Sequence, residues 1–390
     1  MKKYFLKNKD TTLLEFEFGQ EKFQKINIDI FKITYINNEK KHLLPKNYDF
    51  TNNRELESWI KGRKLPKNRE FFDEIISVFP NKNLMTYIDY SFALSLNDSF
   101  WVLPEDKFDY KWEEYNLYKN KFSSIISNLA FTGDFNISSK LKDITISPEF
   151  TTNGMLKKCW YREDDKIFLL KGSTPEYANK GKEAYSEYYM QQVAKEFGIN
   201  FVFYDLMEFH KQLVSKCEIF TNENIGYVPM YNLINKNENR EKEIYRVYGE
   251  RYFEDLMLFD AIIGNTDRHL GNFGMLIDNN TGELISPAPI FDNGLSFLNH
   301  LTKEEIKNEI FIINEYNKNK TNAFEQSFEE CLKIYVDNRH REILEKLTNF
   351  KLEKHKKFNL EKVWLDGIEN NIRRNAEFAL NILKNKKNKF

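Results

Sequence analysis

The segment Phe253–Ile263 (FEDLMLFDAII) reads as a strongly apolar helix that stops at Gly264-Asn265. It gives way at once to a short polar loop, Thr266-Asp267-Arg268-His269-Leu270-Gly271-Asn272-Phe273-Gly274. A helix this apolar belongs in a core, so the loop leaves from a buried element. Twenty residues past Asn272 comes Ile290-Phe291-Asp292-Asn293-Gly294, an apolar step that delivers one carboxylate into a turn. Few folds need such a sequence of a buried helix, a polar loop and an acidic turn.

Phosphoryl transfer does. It asks for one carboxylate to orient the acceptor hydroxyl and take its proton, and for hard oxygen ligands that hold Mg²⁺ against the phosphates. Kinase catalytic loops space the base and the metal-binding asparagine as D-x-x-x-x-N, and Asp267 and Asn272 have that spacing. Asp292 in F-D-N-G stands where a second metal-binding carboxylate follows. A cation must also meet the phosphates. Lys171 closes the apolar strand Lys166–Lys171 (KIFLLK), and Glu187 lies 16 residues later on the helical stretch 182–197, which Gly198 ends. Glu183, one turn earlier on the same face, is the rival partner. His269 is read as a loop-holding group beside the nucleotide and not as the base, because Asp267 has that place. Arg268 has two open readings, a partner for a phosphate or for a carboxylate of the second metal motif, and a solvent-facing side chain.

The balance of 58 basic and 59 acidic side chains, net −1, excludes a dedicated polyanion-coating protein, and no direct nucleic-acid binding is expected. An aromatic share of 15% supports a packed core. No apolar run approaches the roughly 20 residues of a membrane span, and the start MKKYFLKNKD lacks the apolar stretch of a signal peptide. Cys159, Cys217 and Cys331 are few and scattered, which argues for free thiols in a reducing cytoplasm.

Three parts are expected: an N-terminal recognition or regulatory α/β domain at 1–130, a strand-rich unit with one helix at 131–235, and a helical unit at 236–390. In the first, Leu56–Ile60 and Phe71–Ile76 have helical spacing, separated by Pro66, and Phe92–Val102 reads as two short strands around Asn97-Asp98. Strands are also expected at Phe201–Tyr204, Leu213–Phe220 and Tyr227–Met230, and helices after Leu301, marked by Trp364, Ile368, Ile372, Phe378, Leu380 and Leu383. In the turn Thr151–Lys157 (TTNGMLK), Gly154 can aim backbone N–H groups at an anion, with Lys157 beside it, or make an ordinary hairpin turn.

The chain resembles the HipA-like serine/threonine kinases, the enzymatic half of many bacterial toxin–antitoxin pairs. The resemblance rests on NTDRHLGNFG (265–274), which fits that family's D-x-H-x-x-N loop, on FDNG (291–294), on FLLKG with the helix EAYSEYYMQQVAKEFGI, and on Cys217-Glu218-Ile219-Phe220 as an E-x-F hinge. It covers roughly residues 145–385. It implies an α+β, two-lobed protein-kinase-like fold with a small β-rich lobe and a large helical lobe, use of ATP with Mg²⁺, and transfer to a protein hydroxyl. On it Asp267 is the base, Asn272 and Asp292 hold metal, Lys171 contacts phosphate, and the backbone of Glu218 to Phe220 meets adenine. It further implies autophosphorylation near the phosphate loop, with Ser147, Thr151 and Thr152 as the available hydroxyls. The implied partners are a protein substrate such as an aminoacyl-tRNA synthetase and a small DNA-binding antitoxin. A phosphoinositide or small-hydroxyl kinase uses a similar D-R-H-x-x-N loop, and a nucleotide-binding pseudokinase scaffold is the non-enzymatic alternative.

Overall fold

The computed structural model describes residues 1–24, 26–80, 83–134, 146–174, 181–235 and 238–387. The chain divides into two compact units. The first comprises Met1–Leu169, Thr221–Val228 and Leu276–Ser286, and the second Leu170–Phe220, Pro229–Met275 and Pro287–Phe390.

The first unit begins with β1 (Lys2–Asn8), β2 (Thr11–Phe23) and β3 (Ile26–Ile36), joined later by β4 (Phe100–Pro104) in the sheet order β3-β2-β1-β4. All pairings are antiparallel. Alternation sets the buried face, since Leu14, Phe16 and Phe18 are buried while Glu15 and Glu17 between them are not. The helix Asn53–Gly62 starts where the Asn52 side chain accepts from the Arg54 N–H, and it buries Leu56, Trp59 and Ile60. Phe72–Ile76 is also helical. The expected strand pair around Asn97-Asp98 is corrected to the single strand β4. Asp98 instead takes the Arg63 guanidinium at 2.5 Å and its own Phe100 N–H at 3.0 Å, while Arg63 also donates to the Ala93 carbonyl. That buried cation holds 93–98 as a turn.

In the second unit the helix Glu183–Phe197 ends on Gly198 in the left-handed region, as expected. The hairpin strands are Tyr204–Phe209 and Gln212–Glu218. The strand expected from Phe201 begins only at Tyr204. Residues 200–202 pair instead with Ile290, through Val202 N to Ile290 O at 2.9 Å and Ile290 N to Asn200 O at 2.8 Å. This short pairing fixes the chain two residues before Asp292. The core packs Glu250–Ile263 against Phe328–Tyr335 and Lys362–Lys387, and Arg341–Leu347 against Lys362–Lys387, with Trp364, Ile368, Ile372, Leu380 and Leu383 buried and Phe378 at the edge. Cys159, Cys217 and Cys331 are buried free thiols. Among the described residues no helix is long and apolar enough to cross a membrane.

Candidate active site

The apolar helix Glu250–Ile263 ends at Gly264, whose φ of +65° favours glycine. A Cβ there would lie 3.0 Å from the Tyr316 hydroxyl, which donates to the Gly264 carbonyl. The loop then folds on its own polar groups. The Asp267 N–H donates to Asn265 Oδ1 at 3.0 Å, and Asn272 Nδ2 donates to the Asp267 carbonyl at 2.9 Å and to its Oδ2 at 3.5 Å. Because its NH₂ side is engaged there, Asn272 keeps its amide oxygen as an acceptor. Asp267 and Asn272 are thus held together.

Asp292 sits at φ +60°, a left-handed conformation uncommon for a residue with a side chain. Three groups fix the turn around it. Its N–H donates to the Tyr204 hydroxyl at 3.2 Å, the Asn293 N–H donates to Glu187 Oε2 at 2.8 Å, and the Ser186 hydroxyl donates to the Asn293 carbonyl at 2.7 Å. Lys171 Nζ lies 2.7 Å from Glu187 Oε1 and 2.5 Å from Asp292 Oδ1. Glu187 is therefore the partner of Lys171. Glu183 is buried and turned to the Thr174 N–H at 3.4 Å.

Charges in this cluster act on one another. Burial alone would lower the Lys171 pKa, but the carboxylates of Asp292 and Glu187 outweigh it and hold the ammonium charged, well above its usual range. Burial raises Glu187, and the Lys171 cation opposes that. Burial also raises Asp267, and the nearby charge of Asp292 adds to it against His269, Arg268 and Lys171. A carboxylate with a raised pKa is a better proton acceptor.

Arg268 is fully buried, which excludes the solvent-facing reading and also a phosphate contact. It pairs with Asp260 of the preceding helix and donates to the carbonyls of Asn272 (3.0 Å) and Phe291 (2.5 Å) and to Asn293 Oδ1 (2.6 Å). This one guanidinium ties the catalytic loop to the acidic turn. Asp260, Asn293 and Tyr204 were not singled out from the sequence. Asp260 left a trace there, a carboxylate inside an apolar helix eight residues before an arginine.

The remaining predicted residues are placed as follows. His269 is exposed, and its Nδ1 accepts from the Gly271 N–H at 2.9 Å, in keeping with a loop-holding role. Glu218 ends its strand exposed, and the Phe220 ring lies 5.5 Å from that of Phe291, next to Asp292. Gly154, Lys157, Ser147, Thr151 and Thr152 belong to the first unit. There Gly154 has φ +96°, and Arg69 and Glu70 clasp its loop. Arg69 donates to the carbonyls of Leu156 and Lys158, Glu70 N donates to Met155 O at 2.8 Å, and Lys157 N donates to Glu70 Oε2 at 3.1 Å. The Lys157 ammonium is 3.9 Å from Glu70. Ser147 is buried and caps the turn Pro148–Thr151, Thr151 is buried and donates to the Leu94 carbonyl at 2.6 Å, and Thr152 is half-buried.

The donor set suits magnesium. Asn272 and Asp292 offer hard oxygen atoms, and no trio of His, Cys, Asp or Glu among the described residues forms a cage of its own. Mg²⁺ is commonly held by one or two carboxylates together with substrate phosphates.

A family profile described as HipA-like kinase matches residues 151–379, more than half of the chain, and the chain belongs to that family. The serine/threonine-protein kinase CtkA of Helicobacter pylori strain J99 is 27% identical over 145 residues, 33% of this chain. The chain spans less than half, 44%, of that relative. The solved CtkA structure aligns with 61% of this chain and 95% of its own at 16% identity, with a TM-score of 0.46. A chain from the Shewanella oneidensis MR-1 complex of HipA, HipB and operator DNA is 12% identical over 96% of both chains, with a TM-score of 0.57, which is a likeness of fold.

Proposed function

We propose that the protein is an ATP- and magnesium-dependent serine/threonine protein kinase. The observation that carries this reading is the linked set Asp267–Asn272 and Asp292–Lys171–Glu187, two hydrogen-bonded groups that the Arg268 guanidinium ties together through the carbonyls of Asn272 and Phe291. The acceptor hydroxyl gives its proton to Asp267 as its oxygen bonds the γ-phosphorus, and the bond from that phosphorus to the bridging oxygen of ADP breaks. Lys171 directs its charge to the phosphates, oriented by Glu187. Asn272 and Asp292 would hold magnesium, which would supply charge neutralisation at the phosphates. The backbone of Glu218 to Phe220 takes adenine.

A protein acceptor, in preference to a lipid, is supported by the serine/threonine-protein kinase among the relatives. Retention of Lys171, Asp267, Asn272 and Asp292 together supports an active enzyme over a pseudokinase scaffold. Among the three loop hydroxyls we favour Thr152 for autophosphorylation, because Ser147 and Thr151 are 1% and 6% exposed. We further propose a cytoplasmic toxin role against a translation component such as an aminoacyl-tRNA synthetase, restrained by a small DNA-binding antitoxin. Residues 1–130 would serve recognition. Purified protein incubated with labelled ATP, magnesium and cell lysate, followed by mass spectrometry, should show labelled serine or threonine. Label in lipid alone, or none, defeats the proposal.

A further inference from the structure

The second unit contains a cavity of about 310 Å³ beside the catalytic loop, and the chemistry above does not use it. One wall is the loop itself, His269 to Gly271. The His269 N–H donates to the Asp267 carbonyl at 2.7 Å and the Asn272 N–H to the His269 carbonyl at 2.9 Å, so this wall and the catalytic groups move as one. A Cβ at Gly271 would stand 2.8 Å from the His269 ring, so a larger residue there would displace that ring. A second wall, Tyr231, is fastened to the same loop through its N–H to the Leu270 carbonyl at 3.2 Å. The third is Arg240 over the Phe324 ring, 4.8 Å from its centroid.

The lining has a definite chemistry. Leu270, Ala323 and Phe324 make it apolar, and no carboxylate lines it. Arg240 is exposed and has no carboxylate partner among the described residues, while Phe324 holds its planar head in place. The acids nearby in sequence are engaged elsewhere, Glu241 with the Tyr245 and Tyr335 hydroxyls and Glu243 with Arg246. Arg240 also opens the helix Arg240–Tyr248, whose N-terminal dipole adds positive potential. A side chain with an apolar stem and a carboxylate head complements this cavity.

We propose that the cavity is an acceptor subsite that takes an acidic side chain of the protein substrate, within about four residues of the hydroxyl that is phosphorylated. Asp267 and Leu270 are three residues apart and so lie within roughly 11 Å, a distance that an extended peptide covers in three or four residues at about 3.3 Å each. This subsite rests on the kinase reading and adds to it the class of sequence chosen.

The test is a positional-scanning library of serine and threonine peptides with labelled ATP, applied to the wild type, Arg240→Ala and Arg240→Glu. The wild type should select Asp or Glu at one flanking position. Arg240→Ala should raise KM for the acidic peptide about tenfold, the effect of losing one charge-assisted hydrogen bond, with kcat within about threefold. Arg240→Glu should turn the preference at that position to lysine, which a merely structural role would not produce. A wild type that labels the library without acidic preference, or an Arg240→Glu that keeps it, overturns the subsite and leaves the kinase reading intact. A wild type that labels no peptide and no lysate protein overturns both.

Discussion

Arg268 and Asp260 form a fully buried ion pair, with Nε to Oδ2 at 2.9 Å and Nη2 to Oδ1 at 3.1 Å. Asp260 belongs to the apolar helix and Arg268 to the catalytic loop, and the rest of the guanidinium reaches the carbonyls of Asn272 and Phe291. The pair thus anchors the guanidinium that joins the 265–274 loop to the turn at Asp292. Removing one partner leaves a buried charge unpaired, at a cost of about 3–5 kcal/mol.

Arg268→Ala should therefore lower stability to urea by about that amount. The double variant Asp260→Leu, Arg268→Met should recover much of it, since an apolar pair of similar size can replace a buried ion pair. Phosphotransfer should not return with stability, because the ties to Asn272 and Phe291 are gone. Full turnover in the stable double variant would show that the pair only stabilises.

Asp267 and Asp292 should fail differently. Asp267→Ala should reduce kcat by about 10²–10⁴-fold while nucleotide affinity stays close to wild type, because the residue acts on the acceptor. Asp292→Ala should weaken Mg-ATP binding as well, which calorimetric titration reads directly. Normal turnover in both variants would mean that the roles are misassigned.

Burial, and then the charge of Asp292, raise the pKa of Asp267 above its ordinary value of 3.8. The protonated form cannot act as a base, so activity is lost as pH falls through this raised pKa. The acid limb of the kcat/KM profile should lie above the ordinary aspartate value and, in the alkaline direction, give way to a plateau. A limb at or below the ordinary aspartate value speaks against a buried base.

Glu149 gives a pH dependence of stability in the first unit. It is fully buried, with the Trp160 N–H at 2.7 Å and the Ser127 hydroxyl at 3.4 Å on one oxygen and, among the described residues, no hydrogen-bond partner for the other. Burial raises its pKa from 4.5 to about 7 against the opposing Trp160 hydrogen bond and Arg69 charge. Between those values the folded protein binds more protons than the unfolded one, so stability falls as pH rises from about 4.5 to 7, by at most about 3 kcal/mol. Glu149→Gln should flatten this slope in urea melts at pH 5 and pH 8, and an unchanged slope would assign it to other groups.

The Lys171–Glu187 pairing shows how far the chain could be read before its structure. A strand closing on lysine, a helix with an acid facing back, and the spacing of Asp267, Asn272 and Asp292 were all legible, though Glu183 competed with Glu187 because both share one helix face. The helices 183–197 and 250–263 and the C-terminal stripe through Trp364 and Leu383 were legible too, since periodicity and a terminal glycine are local properties. Arg63 turning 93–98 away from a strand was not legible, because an ion pair 35 residues apart leaves no mark on local spacing.

The order of residues alone determined the helix faces and the set of oxygen and nitrogen groups available for phosphate chemistry. Only the tertiary structure decided that Arg268 is inside, that Asp260 answers it, and that Tyr231, Arg240 and Phe324 enclose a cavity with the catalytic loop. The physical reason is that periodicity is written along the chain, whereas the neutralisation of a buried charge and the walls of a cavity depend on segments that meet only after folding.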